Sequence, residues 1–68
     1  MLEYTKTILL KVSFDNLLFE KELRKGLRML EREELWQLRT WCYDTFAEMH
    51  LITLLRVFHP NANTRSTT

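Results

Sequence analysis

The chain has 68 residues, of which 46% are hydrophobic and 28% charged, with ten basic and nine acidic side chains giving a formal net charge of +1. Length allows one domain that buries only about 60% of its surface on folding, so stability is marginal and a partner subunit is a common remedy. The near-neutral balance excludes a polybasic nucleic-acid tail and the apolar content excludes global disorder.

Residues 2–13 carry two patterns. With period 2, Leu2, Tyr4, Ile8, Leu10, Val12 and Phe14 share a face; with period 3.6, Met1, Tyr4, Thr5, Ile8, Leu9 and Val12 do. A lone strand would have to pair with its copy in a second subunit, since nothing else in the chain alternates as well. The helical reading is preferred, and the strand stays open.

Asp15 is a natural N-cap, because its carboxylate can accept from the free amides of the following turn. Phe14 before it and Phe19 four positions into the helix fit a hydrophobic staple. The helix is predicted to run to Leu30, with Phe19, Leu23, Leu27 and Leu30 as its core stripe. Gly26 costs about 1 kcal/mol relative to Ala there and either admits a close neighbour or is incidental. The five-residue step from Leu30 to Leu35 breaks the phase and predicts a turn or kink. Glu33 and Glu34 then suit the first turn of the next helix.

From Arg32 onward Leu35, Leu38, Cys42, Phe46 and Met49 form one stripe, with Trp36, Thr40, Tyr43 and Ala47 on another side. Helical spacing continues through Leu51, Leu54, Leu55 and Phe58. Whether residues 32–58 make one helix or two is open. His50 reads as a surface or interface residue at a helix edge. Pro60 ends the helix, and residues 61–68 are expected to form a disordered tail beyond a single helical domain of residues 1–60.

The string Lys11-Val12-Ser13-Phe14-Asp15, then Leu18-Phe19, Lys21-Glu22-Leu23, and later Trp41-Cys42-Tyr43 with Phe46, resembles a pattern in short bacterial hypothetical proteins. The resemblance spans residues 11–46. It implies a bacterial, cytoplasmic, helical protein and carries no assigned activity or site.

The chain begins at Met1 and reads as a complete small protein, with no apolar run long enough for a signal peptide or membrane span; a cytoplasmic location is expected. Cys42, the single cysteine, reads as a small buried hydrophobe. Catalytic constellations, a metal site and a cofactor site are not expected: Cys42, His50 and His59 lack the close pairing of zinc ligands, and one glycine makes no phosphate loop.

Two functional patterns remain. Lys21, Arg24, Lys25 and Arg28 follow helical spacing and Arg32 extends the row, a candidate phosphate contact. The competing reading is a solvated face with Glu20–Arg24 and Glu22–Lys25 pairs. The aromatic helix is more telling, because its apolar residues cover over half its circumference. The expected protein is therefore an all-α bundle of three or four short helices, a homodimer or a binder of another protein. Its candidate interface residues are Trp36, Tyr43, Leu51, Leu55 and Phe58. Its expected role is a non-catalytic interaction or assembly module, the alternative being a small nucleic-acid-binding regulator.

Overall fold

A computed structural model describes residues 1–59. They form three helices, α1 (Leu2–Lys11), α2 (Asn16–Met29) and α3 (Arg32–Phe58), each packed on the other two. The all-α bundle follows the sequence reading, and residues 2–11 are helix rather than strand. The expected tail of residues 61–68 lies outside the described residues. None of the described helices is long and apolar enough to cross a membrane.

α1 buries Leu2, Thr5 and Leu9, a stripe at spacings of three and four. This face is rotated from the one read in the sequence, so Met1 and Tyr4 stand exposed. Thr5 meets Gly26 of α2: a Cβ at position 26 would lie 2.8 Å from the Thr5 Cγ2. The glycine therefore sets the approach of α1 to α2.

The turn after α1 is held by the Asp15 N–H donating to the Val12 carbonyl at 3.1 Å. Asp15 caps α2, its Oδ1 accepting from the amides of Leu17 at 3.0 Å and Leu18 at 3.2 Å. The staple does not form. Phe19 is fully buried, but Phe14 points to solvent, because the rings of Phe46 and His50 already cover Phe19.

α2 ends at Leu30, whose extended backbone turns the chain into Glu31. No Ser, Thr, Asp or Asn caps α3. Instead Glu34 reaches back, and its Oε1 accepts from the Glu31 N–H at 3.3 Å, one half of a capping box.

α3 is one run of helix with a break at His50, where φ is −130° and ψ is 28°. In a straight helix Tyr43 and Phe58 would sit about 22 Å apart along the axis, at 1.5 Å per residue. Their ring centres are 6.1 Å apart, so residues 51–58 fold back beside the first part of α3. The buried stripe of α3 is Leu38, Cys42, Phe46, His50, Thr53, Leu54 and Val57. Met49, expected in the core, is turned out.

Candidate functional site

Folding α3 back on itself opens a groove of about 650 Å³ lined by Leu27, Arg32, Leu35, Trp36, Arg39, Val57 and Phe58. A neighbouring hollow of about 410 Å³ is lined by Arg39, Thr40, Tyr43, Leu55 and His59. Arg39 is the wall between them. Trp36 precedes it by three residues and Tyr43 follows by four, so helical spacing puts a ring on either side. The guanidinium lies 5.3 Å from the Trp36 ring centre and 5.6 Å from that of Tyr43, within cation–π range. Among the described residues no carboxylate pairs with Arg39. The Tyr43 hydroxyl is buried there without a hydrogen-bond partner.

Four of the five interface residues predicted from the sequence thus converge on Arg39, in unequal roles. Trp36 is 63% exposed and free to be covered. Tyr43 and Phe58 are half-buried and pack on the core, so they build the wall. Leu55 lines the second hollow, and Leu51 is exposed but outside both linings. Arg39 itself was not read as a site residue, although the spacing Trp36, Arg39, Tyr43 is the signal that would have found it.

The basic row is shorter than its sequence suggests. Lys21, Arg24, Lys25 and Arg28 are exposed, opposite the Phe19, Leu23 and Gly26 face of α2. Arg24 is bound by Glu20, with Nε and Nη2 on one carboxylate oxygen at 3.1 and 2.7 Å. The other oxygen of Glu20 accepts from Arg56 at 2.7 Å, tying α2 to the folded-back arm. The Glu22–Lys25 pair does not form among the described residues. Arg32 leaves the row, because the turn at Leu30 carries it into the groove.

His50, expected as a surface or interface residue, is instead a buried clasp, only 4% exposed. Its ring stacks on Phe19 with centres 4.0 Å apart and planes 10° from parallel. Nε2 donates to the Ser13 carbonyl at 2.8 Å. Nδ1 lies 2.6 Å from the Asn16 carboxamide oxygen. That carboxamide serves as acceptor from a protonated ring or, turned over, as donor to a neutral one. One side chain so joins the bend of α3 to the α1–α2 turn.

Cys42 is fully buried beside Leu38 and Phe46, and burial pushes its thiol up to about 12, which makes it inert as a nucleophile at neutral pH. Among the described residues no three His, Cys, Asp or Glu side chains are grouped to hold a metal ion. Comparison with family models, with curated proteins and with solved structures finds no match.

Proposed function

We propose that the protein is a non-catalytic protein–protein interaction or assembly module that docks a partner segment in the groove around Arg39. The observation that carries this reading is an exposed tryptophan beneath an arginine, at the rim of an apolar floor of Leu27, Leu35, Val57 and Phe58. Trp and Arg anchors beside a desolvated floor are the composition of interface hot spots. Two arginines and no acidic side chain line the groove. The fitting partner is therefore a protein segment with apolar anchors and at least one carboxylate. A photo-crosslinking residue at Trp36 should capture one partner in the native host, and Arg39→Glu should abolish that capture with helicity unchanged. Equal capture from position 21, on the far face of α2, would count against the groove.

The second reading is nucleic-acid binding. It is favoured by Lys21, Lys25 and Arg28, which share an exposed face and have no acidic partner among the described residues. Three phosphate contacts limit the salt dependence to a slope of about −3. Fluorescence anisotropy with a short duplex at low salt tests this, and no binding there removes the reading.

A further inference from the structure

The α3 face that lines the groove has a register of its own. Arg32, Leu35, Trp36 and Arg39 stand at i, i+3, i+4 and i+7, so they share one side of the helix over two turns. Two apolar side chains are thus bracketed by two arginines about 10.5 Å apart along the axis. Leu27, Val57 and Phe58 complete the apolar lining. Neither arginine has a carboxylate partner among the described residues, and no acidic side chain lines the groove.

The complement of this face is acid, apolar, apolar, acid at the same spacing. An extended segment supplies it poorly. Its side chains alternate, so only one of the two residues between its acids could meet Leu35 and Trp36. Its backbone amides would also need a strand to pair with, and the described residues form only helices. A helix bonds its own backbone and offers i, i+3, i+4 and i+7 together as anchors. The two arginines are not equivalent. Arg39 is half-buried, with the Trp36 and Tyr43 ring centres 5.3 and 5.6 Å from its guanidinium, so its fork is ordered before a carboxylate arrives. Arg32 is exposed, and an exposed ion pair contributes little.

We infer that the groove receives an amphipathic helix of a partner protein, with Asp or Glu at i and i+7 and large apolar side chains at i+3 and i+4, and that the acid on Arg39 dominates binding. This rests on the groove reading and names its occupant. The probe is a peptide library displayed on a helical scaffold of about four turns, with one face randomised, selected on the full chain. Retained sequences should carry acids at i and i+7 around large apolar residues. The best synthetic peptide should shift the Trp36 indole N–H resonance. Arg39→Gln should weaken it about 10- to 100-fold, and Arg32→Gln by less than about fivefold. Arg39→Glu should prefer the peptide whose matching acid is replaced by Lys. Should the Arg39 variants lose their fold, replacing each peptide acid in turn by Gln and titrating the wild type gives the same contrast. Peptides that shift Trp36 but carry acids at other spacings, or none, overturn the inference and leave the groove reading standing. So does an equal loss from both arginines. If no peptide shifts Trp36 the inference falls, and native capture at position 36 then decides the groove reading by itself.

Discussion

Removing the His50 clasp should cost this protein a large part of its stability. At 0.05–0.15 kcal/mol per residue, a chain of this length has about 3–10 kcal/mol in total. His50→Ala loses two hydrogen bonds, at 2.8 and 2.6 Å, each contributing about 1 kcal/mol net. It also removes a buried ring stacked on Phe19; a hole smaller than that of a Phe→Ala change adds about 2 kcal/mol. The expected loss is about 4 kcal/mol. His50→Phe keeps the ring and loses only the polar contacts, for about 2 kcal/mol, and Asn16→Ala costs about 1 kcal/mol. A double-mutant cycle between His50 and Asn16 should return a coupling of about 1 kcal/mol. Urea titrations followed by tryptophan emission give all four values. A His50→Ala loss below about 0.5 kcal/mol, or His50→Phe no better than His50→Ala, would refute the clasp.

Three further outcomes are expected. Asp15→Ala should cost about 0.5–2 kcal/mol, because the Leu17 and Leu18 amides lose their acceptor; an unchanged urea midpoint would deny Asp15 the cap. Gly26→Ala should destabilise by about 1 kcal/mol, since the 2.8 Å contact with the stiff Thr5 side chain outweighs the gain in helix propensity; adding Thr5→Ala should recover that loss, and no recovery would place the strain elsewhere. For Cys42 the folded thiol titrates at about 12 against an ordinary 9.0, so the unfolded chain holds fewer protons between those values. Its contribution is intact below pH 9 and falls by about 1.4 kcal/mol per pH unit up to the folded value. The wild type should therefore lose stability faster than Cys42→Ala over that window, and parallel pH curves would contradict the burial effect.

What could be read in the sequence divides along a physical line. Asp15, the turn at Leu30 and the helical face of residues 32–47 are local matters of cap chemistry and periodicity, and the structure has them as read. Phe14 was misplaced because a staple is also local, and its position depends on what else reaches Phe19. The rings that do so, Phe46 and His50, lie about thirty residues away. Hydrophobic periodicity alone leaves His50 at a helix edge. Without regard to polarity, Leu38, Cys42, Phe46, His50, then Thr53 or Leu54, and Val57 run at spacings of three and four. A histidine on such a stripe is admissible when its ring nitrogens find partners. Those partners, a backbone carbonyl and an Asn at the first position of α2, come from a turn that periodicity does not describe.

The groove has the same origin. The sequence marks Trp36, Tyr43, Leu55 and Phe58 as an apolar excess, because a monomer of this size has few helices to bury them. The premise was sound for Trp36 and too strict for Tyr43 and Phe58, which the bend at His50 packs together at 6.1 Å. The bend thus removes part of the apolar excess that argued for a partner and leaves Trp36 exposed at the rim of the groove. No proline or glycine sits at this bend, so the break is held by side-chain contacts from another element rather than by a backbone incapable of helix. A clasp of that kind holds the folded-back arm, and with it the groove wall, against α2. Weakening His50 should therefore loosen the groove wall, whereas a change at the exposed Trp36 should leave the bend intact.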